Sequence, residues 1–93
     1  MKFEWSQAKA ASNLKKHGIS FDEAATVFAD PLSEFFDDPD HSQDEHRSIV
    51  IGHSHRGKML FVSFADRGNN IIRIISARNV TRSERNQNEQ EKR

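Results

Sequence analysis

Three stretches limit the fold of this chain more than anything else in it. Arg47 to Gly52, Met59 to Ala65 and Ile71 to Ala77 are apolar runs rich in β-branched and aromatic residues, linked by the short polar segments Ser54 to Gly57 and Asp66 to Asn70. Such runs, bounded by turn-forming residues, read as strands joined by hairpins, so an antiparallel meander is expected in the second half of the chain. In the middle run Leu60, Val62 and Phe64 take one pleat face while Met59, Phe61, Ser63 and Ala65 take the other. Both faces are largely apolar and both call for cover.

The N-terminal part offers that cover. Ser6 can cap a helix from Gln7 to about Lys16, with Gly18 as its stop and Ala8, Ala11 and Leu14 or Ser12 along one face. Ser20-Phe21-Asp22-Glu23 has the form of a capping box, and Phe21, Ala24, Ala25 and Phe28 follow at helical spacing until Asp30-Pro31 ends the segment. Phe3 to Trp5 reads as a short strand or arm and Leu32 to Phe36 as another strand, before the loop composition of Asp37 to Ser42. Beyond the meander, Thr81-x-x-Glu84 can cap a last helix, but Arg82 to Arg93 contains no apolar residue to pack it. The expected fold is α+β: two N-terminal helices packed on an antiparallel sheet of about four strands, with a short polar C-terminal helix, in one domain over residues 1–93. Two helices can cover only one sheet face.

Composition excludes several classes. The chain has no cysteine, which removes disulfides and thiolate zinc sites and suits a reducing compartment. Met1 to Trp5 does not lead into an apolar leader, and no window approaches the roughly 18 apolar residues of a membrane span, so a soluble cytoplasmic protein is expected. The formal net charge of zero hides a sorting along the chain: net +3 over residues 1–20, −8 over 21–50, +2 over 51–72 and +3 over 73–93. If the two ends meet in space, a basic face suited to a polyanion stands opposite an acidic one; the plain alternative is a set of solvated charges with local ion pairs.

The most unusual charges are arginines placed in strands. Arg73-Ile74-Ile75-Ser76-Ala77-Arg78 carries two through the last strand, and Thr81-Arg82-Ser83-Glu84-Arg85 carries two more past its end. An arginine in a sheet loses hydration, so it faces an ion pair, a partner or an anionic ligand. Arg47, Arg67, Arg73 and Arg78 lie on or beside three consecutive strands, with Lys15, Lys16 and His17 at the end of the first helix. Guanidinium groups on neighbouring strands, roughly 5 Å apart, can converge on a phosphate and stabilise its transition-state charge. They cannot shuttle protons, and His17, His46 and Glu45 are the titratable candidates for that task. The plain alternatives are an ion pair from Arg73 to a carboxylate of the middle segment and a helix-end role for His17. In a regular strand Arg73 and Arg78 have opposite parity, so a bulge or the strand end near Ala77 must intervene to bring them together. A zinc set of His53 and His55 with His46 or Asp44 is weak, because the spacing fits no standard pattern, and no metal or other cofactor is expected. No serine stands in a Gly-x-Ser-x-Gly turn.

A longer pattern runs through these residues. Trp5, Lys9, Asn13, Lys16-His17-Gly18-Ile19, Phe21, Glu23-Ala24, Val27-Phe28, Asp30-Pro31, Arg47, Ile51-Gly52, Arg73 to Arg78 and Thr81-x-x-Glu84-Arg85 together resemble the BrnT family of toxins. The resemblance covers nearly the whole chain and rests on several motifs in the right order. It implies a RelE-like fold and a metal-independent endoribonuclease that inhibits translation. It also implies a BrnA-like antitoxin with a ribbon-helix-helix domain, an operator DNA bound by the complex, and a dimer within that complex. By position it makes Lys16, His17, Glu45, Arg47, Arg67, Arg73 and Arg78 functional. Joined to the charge pattern, the expected assignment is His17, Glu45, Arg67, Arg73 and Arg78 in catalysis and Lys15, Lys16, Arg47, Arg82 and Arg85 in RNA binding. The rival expectation is a catalytically inactive binding module that acts with an antitoxin as co-repressor.

Overall fold

The computed structural model of the protein describes residues 1–38 and 46–85. Its elements run β1 (Lys2–Glu4), α1 (Gln7–His17), α2 (Phe21–Thr26) with a 3₁₀ turn over Val27–Ala29, β2 (Glu34–Asp37), β3 (Arg47–His53), β4 (Met59–Gly68) and β5 (Ile71–Asn79). The strands form one five-stranded sheet in the order β1-β5-β4-β3-β2.

The meander stands as its apolar runs dictate, with β2, β3, β4 and β5 antiparallel in turn. The β4–β5 hairpin closes through Asn69 and Asn70, both at positive φ (52° and 64°), which asparagine tolerates better than most residues. The sheet is nevertheless mixed, not antiparallel. β1 adds to the far side of β5 in parallel, pairing Lys2 with Ile71, Phe3 with Ile72 and Glu4 with Arg73. A three-residue strand is too short to show a period, so its partner and direction are fixed only when the helices carry the chain away from it.

Both helices begin on the expected residues and α1 ends on Gly18, whereas α2 ends at Thr26 and tightens into the 3₁₀ turn before Asp30. The Ser6 hydroxyl accepts from the Lys9 N–H at 3.3 Å, and Gly18 at φ 72° ends α1, its N–H donating to the Leu14 carbonyl. The Ser20 hydroxyl accepts from the Glu23 N–H at 3.1 Å. The reciprocal half of that capping box is absent, because the buried Glu23 carboxylate instead accepts the Ser54 hydroxyl hydrogen at 2.7 Å and ties α2 to the turn after β3.

The core lies on one sheet face. Ile19, Phe21, Ala24 and Val27 pack against Val50, Leu60, Val62, Phe64, Ile72, Ile74 and Ala77, with Phe3, Trp5 and Phe28 at its margin. The face expected to bury α1 is corrected: Ala8 and Ala11 are exposed and Leu14 is 52% exposed, whereas Ala10 and Asn13 are the residues turned inward. The cause is polar. Past β1 no described strand borders the outer edge of β5, and the Asn13 amide stands in for one, donating to the Ala77 carbonyl at 2.8 Å and accepting from the Ala77 N–H at 3.1 Å. Its second amide hydrogen reaches the Ile19 carbonyl at 2.9 Å. An alanine-and-leucine stripe cannot satisfy backbone groups, so the asparagine face wins.

Asp30-Pro31 does more than stop a helix. The Asp30 carboxylate accepts from the Leu32 N–H at 2.9 Å and the His53 N–H at 2.7 Å, clamping the turn onto β3. Those two bonds, His53 first, hold its carboxyl below the ordinary carboxylate value. Gly52 is what permits the approach: a Cβ there would sit 2.8 Å from the Ser33 Cβ.

Candidate nucleic-acid interface

Among the described residues, the face of the sheet away from α1 and α2 is uncovered except where Glu84 meets Arg78. Cross-strand partners share a face, so the register places on it the rows Arg47–Ala65–Arg73–Glu4, Ile49–Ser63–Ser76 and Ile51–Phe61–Arg78. Apart from the fully buried Ala65, the β3, β4 and β5 members of these rows are partly buried, and β2 adds Phe36, 40% exposed, beside Ile49.

Arg73 and Arg78 reach this common face through an irregularity. Ser63 pairs with Ser76 but Phe64 pairs with Ile74, so Ile75 is an extra residue on β5. That bulge reverses the parity of everything after it and turns Arg78 to the side that Arg73 occupies. Along the strand they remain roughly 13 Å apart, too far for both to grip one phosphate oxygen.

Each of these arginines holds a carboxylate. Arg73 donates to Glu4 at 3.1 Å, a partner from the N-terminal strand and not from the acidic middle segment. Arg78 forks onto both oxygens of Glu84 at 2.9 and 3.0 Å and lies 4.1 Å above the Phe61 ring centroid. Glu84 is placed by a complete capping box: its N–H donates to the Thr81 hydroxyl at 3.2 Å and its carboxylate accepts the Thr81 N–H at 2.9 Å. The Arg78 hydrogen bonds hold the Glu84 carboxyl down at about 2, against the opposing effect of burial.

A folded value lowered from an ordinary 4.5 means stability that is present above that pH and is lost as pH falls toward 2. Both side chains are about a third exposed, so solvent screening leaves about 1 kcal/mol. Urea melts of the wild type and Glu84→Gln should differ by that amount at neutral pH and converge between about pH 4.5 and pH 2. A gap independent of pH would show that the carboxylate charge is not what stabilises the turn.

At the β5 edge, α1 and the sheet leave a cleft of about 190 Å³ lined by Lys9, Ser12, Asn13, Lys16, His17, Ile75 and Ser76. Ser76 belongs both to this cleft and to the middle row of the open face. Lys16 and His17 are therefore brought to the stretch of β5 between Arg73 and Arg78, and Lys9 lines the same cleft. Lys9 was legible only as part of the family pattern, since a lone lysine early in a helix carries no signal of its own.

The remaining candidates are distributed as follows. Lys15 is exposed in the last turn of α1 without lining the cleft, and Arg47 stands across Ala65 from Arg73. Arg67 is the extra residue of a second irregularity between Asp66 and Gly68, at the hairpin end of β4. Arg82 and Arg85 are exposed in the helical turn after β5. Glu45 lies outside the described residues, as does all of the tail after Arg85. Past the end of β3, His53 Nδ1 is 3.5 Å from Asp30 and His55 Nδ1 is 3.4 Å from the Thr26 hydroxyl, and at its start His46 Nε2, next to Arg47, is 3.4 Å from Asp37. No group of three or more potential metal ligands forms among the described residues. No described helix is long and apolar enough to cross a membrane.

A small α+β domain with one helix-covered sheet face and one face crossed by arginines thus finds its class by comparison, that of the ribonuclease toxins of type II toxin-antitoxin systems. The family model for the BrnT ribonuclease toxin of such systems matches residues 5–84, and the chain belongs to the BrnT family. Its fold is similar to that of the Brucella abortus ribonuclease toxin BrnT, known from a 1.1 Å crystal structure, with a TM-score of 0.67 and 23% identity over 88% of this chain and 99% of that one. No curated protein matches the chain at a significant level of sequence similarity.

Proposed function

We propose that this chain is a metal-independent endoribonuclease on a RelE-like scaffold, silenced by a BrnA-like ribbon-helix-helix antitoxin with which it binds operator DNA. The observation that carries the catalytic reading is the junction at Ser76. There the cleft bearing His17, Lys16 and Lys9 meets the open face, between the row of Arg73 and the row of Arg78.

An RNA strand laid across that junction offers phosphates to the two arginines in turn, and its bases to Phe61, Phe36 and the isoleucines between them. The 2′-hydroxyl attacks the adjacent phosphorus, its proton passing to His17; the P–O5′ bond breaks and the departing 5′-oxygen takes a proton, leaving a 2′,3′-cyclic phosphate and a 5′-hydroxyl. Imidazole is the side chain able to do both halves of that transfer near neutral pH. Arg73 supports the charge that develops on the phosphate oxygens, and Arg47, across Ala65, grips a neighbouring phosphate. Lys15, Arg67, Arg82 and Arg85 extend the positive surface along the strand, and Glu45 is a second candidate for proton transfer. Glu4 and Glu84 occupy the guanidinium groups until phosphate replaces them, and their partial exposure leaves the pairs open to exchange.

The same ion pairs favour the second reading, a binding module whose arginines grip carboxylates and never a reacting phosphate. Purified protein incubated with RNA in excess EDTA separates the two. Cleavage that persists, yields cyclic phosphate ends and falls at least about 100-fold in His17→Ala supports the nuclease. No cleavage at any protein concentration supports the binding module, and cleavage abolished by EDTA rejects the metal-free mechanism.

A further inference from the structure

The two ends of the sheet are finished differently. β5 is closed by β1 and by the Asn13 amide, but β2, paired with β3 on its inner side, is the last strand at the other end, and no described strand pairs with its outer edge. The Asp38 N–H donates to the Arg47 carbonyl at 3.1 Å, which fixes the alternation of the ladder. Glu34 and Phe36 turn their amides toward β3, so those of Phe35 and Asp37 point to the free edge. Around them Leu32, Phe35 and Phe36 are 67%, 55% and 40% exposed. Strand donors without a partner among the described residues, beside exposed phenylalanines, form a template for another strand.

Charge decides whose strand it is. Glu34, Asp37 and Asp38 make this edge acidic. In the antiparallel register that sets Phe35 opposite Asp37 of a second copy, Glu34 would stand opposite Asp38, twice over; shifted by two, Asp37 would face Asp37 in one direction and Phe35 would face Phe35 in the other. Like charges placed directly opposite are destabilising, so two of these three registers disfavour a second copy, whereas a basic strand meets the acidic edge favourably in each of them. We infer that the free edge of β2 receives an extended, positively charged segment of the antitoxin, which becomes the sixth strand of the sheet. Main-chain bonds to Phe35 and Asp37 supply the register, and apolar side chains of the added strand cover Phe35 on the helix side and Phe36 on the open face. Its basic side chains meet Glu34, Asp37 and Asp38. This inference rests on the toxin-antitoxin reading above. It places the antitoxin on an edge away from the β5 cleft, so that docking and blocking of catalysis are separate tasks for it.

The test uses the full chain and its cognate antitoxin. Asp37→Pro removes an outward donor without taking a hydrogen bond from β3, and proline is tolerated on an edge strand. It should weaken the complex at least about tenfold. Asp37→Lys keeps the donor and reverses the charge; it should weaken the complex too, less so at high salt, and it serves if the proline variant does not fold. In the wild type, amide exchange at Phe35 and Asp37 should slow on complex formation. A wild type that forms no complex overturns the toxin-antitoxin reading and the edge together. A tight wild-type complex, unaffected by either substitution and with both amides still exchanging fast, overturns the edge alone.

Discussion

Arg73→Ala is expected to lower the rate of RNA cleavage by about 10² to 10³ and to relieve growth arrest on expression, while the protein stays folded. The two halves of that expectation have separate grounds. Removing a guanidinium that meets transition-state charge forfeits an interaction no neighbour can replace, and Arg47, roughly 10 Å away across β4, cannot move into its place. Structurally, Arg73 gives up only its pair with Glu4, and with side chains 34% and 40% exposed that pair contributes less than about 1 kcal/mol. Arg73→Lys should recover only part of the rate, because an ammonium is a point charge without the planar fork. The measurement is single-turnover cleavage beside a thermal melt for each variant. An Arg73→Ala protein that cleaves as fast as the wild type would show that the open face is not where the phosphate reacts.

Asn13→Ala is expected to cost about 3 kcal/mol, which for a domain of this size lowers the melting temperature by about 15 °C. The side chain is 6% exposed and serves three backbone groups at once: the Ala77 N–H and carbonyl and the Ile19 carbonyl. Alanine would leave them in a buried place without partners, and cavity formation adds to the loss. Asn13→Asp should fare little better, since it keeps the acceptor for the Ala77 N–H but turns a carboxylate oxygen toward the carbonyls of Ile19 and Ala77. Differential scanning calorimetry on the three proteins decides; a melting temperature within a few degrees of wild type would mean that water or another side chain closes the β5 edge. Cleavage should fall as well, because this amide also holds the helix that carries His17 against the sheet.

Much of the architecture follows from local signals. Ser6 and Ser20 start their helices and Gly18 stops the first, because those residues satisfy or permit the end geometry wherever the helix goes. The β3–β4–β5 meander follows from three apolar runs and two turns. The candidate site was legible in its residue types: arginines in a strand and a basic helix end next to a titratable imidazole. What could not be read was which arginines share a face. That depended on a single extra residue at Ile75, and nothing in Ile74-Ile75-Ser76 marks a bulge before β4 is laid against it. The Arg73–Glu4 contact, spanning 69 positions of sequence, was equally hidden.

Taken alone, the sequence determined the number and kind of the main elements, their caps, the identity of the charged residues and the family to which the pattern belongs, because each depends on neighbours within a few positions or on residue chemistry. Tertiary structure decided the rest. It made β1 a parallel fifth strand, chose the asparagine face of α1 over the alanine face, and diverted Glu23 from its own helix to Ser54. Among the described residues, it also left one sheet face largely uncovered and one edge unpaired. All of these are settled by which backbone and carboxylate groups must find partners once water is excluded, and that depends on residues far apart in the chain.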